Sequence, residues 1–230
     1  MTSCSNFSFD CWICTKALDH GSTAGFPKTC ESCLENLTNS KSCLKNGDLK
    51  NNFANILEAA VNSINSFEIC TRLLHSKSTT EIGELISSLI INFAKSFKTF
   101  QLLSHSQQLA VTVNSSQALV LSLVMSSHLG NFVPFLTDTD SLVKVFPLFK
   151  TKNHDKLSHL KAIFDQWQPS IEETVCLMAM ILGKGVLKQM ENGYTSFIYE
   201  IFSIISNTLE SNRSLIFDQI IDMVWETQRI

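Results

Sequence analysis

Beyond residue 47, apolar residues recur at three- and four-residue steps through most of the chain. Phe53, Ile56, Leu57, Ala60, Val61 and Ile64 keep this spacing between Asn51 and Leu74, which predicts an amphipathic helix. Ser78-Thr79-Thr80-Glu81 has the Ser-x-x-Glu spacing of a capping box, in which each side chain satisfies the other residue's backbone N–H. The helix it opens is expected to carry Ile82, Leu85, Ile86, Leu89, Ile90, Phe93, Phe97 and Phe100 on one face. Pro169-Ser170 followed by Glu173 marks a second start of the same kind. Two last helices are predicted at about 191–209 and 214–225, whereas 131–155, with Pro134, Pro147 and repeated Phe, reads as an irregular or short-helical connection.

Two segments break the amphipathic rule. Ala118 to Val124 and Val175 to Leu182 are apolar on nearly every side. A helix without a polar face has to be covered on both sides. Two layers cannot do that, so the expected fold is an all-α, three-layer helical sandwich with a small Cys-rich N-terminal segment. Composition agrees: 8 glycines and 4 prolines in 230 residues are less than half the usual share of about 12%. A β-rich fold needs a turn every eight to twelve residues and more turn formers than these.

Charge and hydropathy narrow the function. Eighteen Lys+Arg against 21 Asp+Glu leave a net charge of −3, and the arginines are Arg72, Arg213 and Arg229. Such a chain has no basic footprint for nucleic acid. No apolar run reaches the roughly 18–20 residues that span a bilayer, so no membrane partner is expected. Residues 1–10 lack the basic start and apolar stretch of a signal peptide. The eight cysteines are therefore read as free thiols or metal ligands rather than disulfides.

Six of the eight cysteines lie within the first 43 residues. Cys70 and Cys176, in apolar surroundings, are expected in the core. Cys11-x2-Cys14 and Cys30-x2-Cys33, fifteen residues apart, form two knuckles. Each can present two thiolates to one tetrahedral, structural zinc ion. His20 and Cys43 are further candidates for a ligand position. Residues 1–50 balance five lysines against five acids, and Leu34-Glu35-Asn36-Leu37 puts an acid where a DNA-reading helix needs a base. DNA binding by this module is not expected. The chain divides into a Cys-rich 1–47, read as a degenerate finger, and a helical 48–230.

The segment Phe93-Ala94-Lys95-Ser96-Phe97-Lys98-Thr99-Phe100-Gln101-Leu102-Leu103, then Ser106-Gln107-Gln108-Leu109, resembles the signature of nuclear-receptor ligand-binding domains. That family has aromatic-Ala-Lys, then Pro, Phe and Leu, then Asp-Gln-x-x-Leu-Leu; Lys98 stands here in place of its Pro and Gln107 in place of its Asp. Residues 171–182 resemble the family's eighth helix, with Glu173 at its recurrent glutamate. Residues 209–216 resemble the entry to its tenth helix, with Arg213 at the arginine. The likeness covers about residues 50–230. The family's first finger spaces its knuckles by thirteen residues rather than fifteen, and a complete second finger has no counterpart in this sequence.

The resemblance implies the same three-layer sandwich and a nuclear transcriptional regulator acting through protein contacts. Lys95 and Gln108 would hold a coregulator helix, and Glu173 and Arg213 would form a buried ion pair. A small lipophilic ligand and a homo- or heterodimer with another receptor are further implications. After the helix ending near Trp225 only Glu226 to Ile230 remain, about 7.5 Å as helix, too short for the family's closing activation helix. A repressive or dimer-partner role is therefore expected over ligand-dependent activation. Rival readings are a zinc-stabilised helical adaptor without receptor ancestry, and a DNA-binding factor using the zinc module. No enzyme is expected: the histidines have no carboxylate or nucleophile at a telling spacing, and Ser104-His105 and Ser127-His128 are neighbours that diverge on a helix. The cysteine reading is checked by elemental analysis. One zinc per chain is expected, lost in Cys11→Ser.

Overall fold

Local signals set where the helices begin and end. The computed structural model describes residues 9–10, 17–18, 32, 35, 46–72, 78–125, 154–187, 194–209 and 214–226. Among these the fold is all helical, apart from one short antiparallel pair. There β1 (Phe9–Asp10) runs against β2 (Ala17–Leu18), with Phe9 opposite Leu18 and Asp10 opposite Ala17. The helices are α1 (Asn46–Arg72), α2 (Thr79–Lys95), α3 (Lys98–Gln101), α4 (His105–Met125), α5 (His154–Trp167), α6 (Ile171–Leu187), α7 (Thr195–Thr208) and α8 (Ser214–Glu226). None of them is long and apolar enough to cross a membrane. The connection expected at 131–155 falls outside the described residues up to 153.

Both capping boxes form. Ser78 N–H donates to Glu81 Oε2 at 2.9 Å and Glu81 N–H returns to Ser78 Oγ at 3.3 Å, opening α2. Ser170 N–H donates to Glu173 Oε2 at 2.7 Å, and Glu173 N–H to Ser170 Oγ at 3.2 Å, opening α6. A third box uses Gln107: Ser104 N–H donates to its Oε1 at 2.9 Å, and Gln107 N–H to Ser104 Oγ at 3.3 Å. Each cap contributes about 1 kcal/mol. At the end of α5, Gln168 takes a left-handed φ of 46° while its N–H still reaches Phe164 O at 2.9 Å. A side chain in that region costs roughly 1–2 kcal/mol. Pro169 then blocks continuation, and α6 starts within three residues.

The continuous stripe expected from Ile82 to Phe100 is split in the structure. Ser96 N–H and Phe97 N–H bond back three residues, to Phe93 O at 3.0 Å and Ala94 O at 3.2 Å, which tightens and ends α2. Ser96 Oγ also donates to Phe93 O at 2.6 Å. Phe97 then turns extended (ψ 123°) and α3 begins. Phe97 and Phe100 still enter the core, from a different helix. Leu85 ends up partly exposed instead.

The two segments without a polar face form the centre. Val175 to Leu182 of α6 and Ala118 to Leu123 of α4 are buried at every position. These two helices make the most extensive contact in the fold; α1, α2 and α7 pack on the pair, as do α5 and α8. Phe97 meets Phe93 and Phe197 edge-on, with ring centroids 5.5 and 5.7 Å apart. Trp167 meets Phe217 edge-on at 4.8 Å, joining α5 to α8. Lys184 of α6 forms an ion pair with Asp222 of α8.

Gly185 lets α4 and α6 approach closely. A methyl group placed there would lie 3.2 Å from Ser115 Cβ and 3.5 Å from Val111 O. Asn114 Nδ2 donates to Gly185 O at 3.3 Å across the same crossing. A branched side chain would wedge the helices apart, and overpacking of this kind costs about 1–3 kcal/mol. Gly185→Val should lower the denaturation midpoint accordingly, whereas Gly83→Val, at a site with nothing within 4 Å, should show only the helix-propensity change. Chemical denaturation of the two variants checks this.

Candidate protein-docking site

The resemblance points to the junction of α2, α3 and α4, which is built from helix ends. Lys95 is exposed in the last turn of α2, where a cation complements the helix dipole. Its carbonyl accepts Gln101 Nε2 at 2.7 Å. Gln108, in the first turn of α4, turns its amide back onto the end of α3. Its Nε2 donates to Leu103 O at 3.0 Å, Phe100 O at 3.3 Å and Gln101 O at 3.4 Å. Lys95 and Gln108 are thus brought to two sides of one residue, Gln101. The Gln108 side chain is engaged in holding the turn rather than pointing freely outward.

Around this junction large apolar side chains face solvent. Leu102 is 82% exposed in the turn into α4, and Leu109 and Val113, one turn apart on α4, are 56% and 61% exposed. The i, i+4 spacing puts the latter two on one helix face. Val111 and Thr112 on the same helix are buried.

A residue that the motif reading missed holds α3 from behind. Glu200 of α7 is 1% exposed, and its carboxylate receives donors only. Lys98 N–H reaches Oε1 at 3.2 Å and Thr99 N–H reaches Oε2 at 2.9 Å. The Thr99 hydroxyl and Asn52 Nδ2 of α1 complete the set. The residue preceding α3 is Phe97, which has no side-chain acceptor, so Glu200 supplies the cap from 101 residues away in sequence. Asn52 is itself 3% exposed and its Oδ1 has no partner among the described residues, a cost of about 1–3 kcal/mol. The available signal was a lone acid inside the run Phe197-Ile198-Tyr199-Glu200-Ile201-Phe202.

The other expected sites are placed less fully. Glu173 closes the capping box of α6, and Arg213 lies outside the described residues. So do Cys11, Cys14, Cys30 and Cys33, as well as His20 and Cys43, whereas Cys70 lies on α1. The β1–β2 pairing joins the residues flanking the first knuckle, and Ser32 and Glu35, beside the second, are helical and exposed. Among the described residues no three His, Cys, Asp or Glu side chains cluster as a metal site would require. A void of about 10 Å³ lies between Ile86, Ile90 and Phe93 of α2, Leu119 and Leu123 of α4, and Met178 of α6. That is room for about one water, against roughly 300–1,000 Å³ for a ligand pocket.

Cys176 is buried in α6, and burial pushes its thiol up to about 12 from 9.0, partly offset by a side-chain hydrogen bond with Thr208. A thiol so protonated is a poor nucleophile. Because the folded value is raised, its contribution to stability is complete below about pH 9. It is lost as pH climbs through about 12. Mass-spectrometric mapping after iodoacetamide treatment at pH 7 should find Cys176 unmodified in the folded protein and modified in denaturant.

Compared with known protein families, with curated proteins and with solved structures, the chain matches none.

Proposed function

We propose that this chain is a nuclear-receptor-like transcriptional regulator that works in the nucleus through protein–protein contacts. The observation that carries the reading is the exposed apolar face of Leu109 and Val113, with Leu102 beside the turn and Lys95 at the end of α2. An amphipathic coregulator helix could lay its apolar stripe on this face. Lys95 would then meet the negative end of that helix's dipole.

The helix packing supports the same reading. Both α4 and α6 contact a member of the α1–α2 pair and a member of the α5–α8 pair, as the central layer of a three-layer sandwich would. The N-terminal cysteines Cys11, Cys14, Cys30 and Cys33 would hold a structural zinc. The strand pair framing the first knuckle and the helical residues at the second suit that ligand set. A lipophilic ligand seated at the void beside Met178 would have to enlarge it. The action proposed is repression or service as a dimer partner rather than ligand-dependent activation. DNA contact is not part of the proposal, nor is catalysis.

The test is fluorescence anisotropy with leucine-rich amphipathic peptides from receptor coregulators. Lys95→Glu and Leu109→Ser should each weaken binding about tenfold, about 1.4 kcal/mol. Both positions are exposed, so thermal stability should stay nearly unchanged. Equal loss of binding and stability would make Lys95 structural, and absence of binding by the unaltered protein would reject the reading. Tethered to a foreign DNA-binding domain, the chain should repress a reporter or leave it silent, and strong ligand-dependent activation would refute the reading.

A further inference from the structure

We propose that Glu200 is the positioning residue of the exposed α3–α4 surface. Through it, the packing of α1 and α7 governs whether that surface is presented for docking. The proposal deepens the docking reading above and rests on it for the second of its two readouts.

The first turn of a helix leaves its N–H groups without partners, and an Ncap side chain normally serves them. Phe97 cannot, so Lys98 and Thr99 depend on a carboxylate from α7. All four groups facing Glu200 can donate, and two of them, the backbone N–H groups, can only donate. An amide in its place would turn an NH2 toward an N–H. Asn52, from α1, donates to Oε1 while its own Oδ1 goes without a partner among the described residues. Its buried amide is thus given over to holding the carboxylate.

The chain of contacts then runs outward. Glu200 holds Lys98 and Thr99, and Phe100 of the same helix packs against Phe197, one turn before Glu200 on α7. Gln108 closes the other end of α3 at Phe100, Gln101 and Leu103. Leu102, 82% exposed, sits between these two anchors. Release of the first anchor frees α3 to rotate and carries Leu102 away from the Leu109–Val113 face, while the central α4–α6 contact is untouched.

The experiment compares the full chain with Glu200→Gln, with Asn52→Ala, and with Ile205→Val. The last is a core truncation on the same helix that leaves the carboxylate in place. The readouts are residue-resolved amide hydrogen exchange and affinity for the coregulator peptide. In the unaltered protein, the Lys98 and Thr99 amides should exchange at least tenfold more slowly than unstructured amides, despite lying in a first turn. Glu200→Gln should abolish this protection and weaken the peptide at least fivefold, with exchange in α4 and α6 at the level of Ile205→Val. Asn52→Ala should give a smaller change of the same pattern. It decides by the same criteria if Glu200→Gln does not fold. Loss of protection spread evenly over all helices would overturn the proposal by making Glu200 a general core residue. So would unchanged protection at Lys98 and Thr99, or local loosening with the affinity unaltered. If the unaltered protein binds no peptide, the docking reading fails by itself. The clamp is then supported by local loss of protection and overturned by its absence.

Discussion

The fold depends on two helices that have no side to show to water. Residues 175–182 of α6 are buried all round, and residues 118–123 of α4 are nearly as enclosed. Fully burying one Leu, Ile or Met side chain is worth about 1.5–3 kcal/mol, so exposing a face of either helix would forfeit several such terms at once. The remaining helices are the cover this demands, with α1, α2 and α7 on the pair and α5 and α8 also against it. Two buried serines of α4 satisfy themselves locally. The Ser115 and Ser122 hydroxyls donate to Val111 O at 2.5 Å and Leu119 O at 2.8 Å, within their own helix. Such back-bonding removes the penalty of a buried hydroxyl without requiring a partner across the interface. Small side chains at the same places, with Gly185 opposite Ser115, allow the two backbones to close on each other.

What was legible in the sequence was what short-range chemistry controls. Ser78 with Glu81, and Ser170 with Glu173, announce helix starts because both partners lie within one turn. The all-apolar runs announce central helices because no other position can accept them. The break at Ser96 was not legible, since Phe93, Phe97 and Phe100 keep a helical spacing across it. What ends α2 there is a pair of three-residue backbone bonds together with a cap that arrives from α7. Glu200 could be suspected as an acid in an apolar run, but its partners on α1 and α3 are set by the fold and not by any local spacing. The α2–α3–α4 junction was legible in part. Lys95 and Gln108 came from the motif and do lie about Gln101, yet the exposure of Leu102, Leu109 and Val113 emerges only from the packing.

The four residues of α3 show why that exposure is a property of the whole molecule. A helix of one turn has no stability of its own, because nucleation costs more than one or two hydrogen bonds return. Its geometry must be imposed from outside, and three elements impose it. Glu200 of α7 holds the start, Gln108 of α4 holds the end, and Phe100 is drawn into the core beside Phe197. Each anchor is weak by itself, about 0.5–1.5 kcal/mol for a net hydrogen bond and somewhat more where a charge assists. Their joint effect is large only while all three hold one geometry, as in any hydrogen-bond network with low surrounding dielectric. A segment held in this way responds to its supports. A shift of α1 that moved Asn52, or of α7 that moved Glu200, would reach Leu102 at the surface as well as the central pair on which both helices pack. The most exposed large apolar side chain among the described residues is therefore tied, through one buried carboxylate, to the packing of α1 and α7.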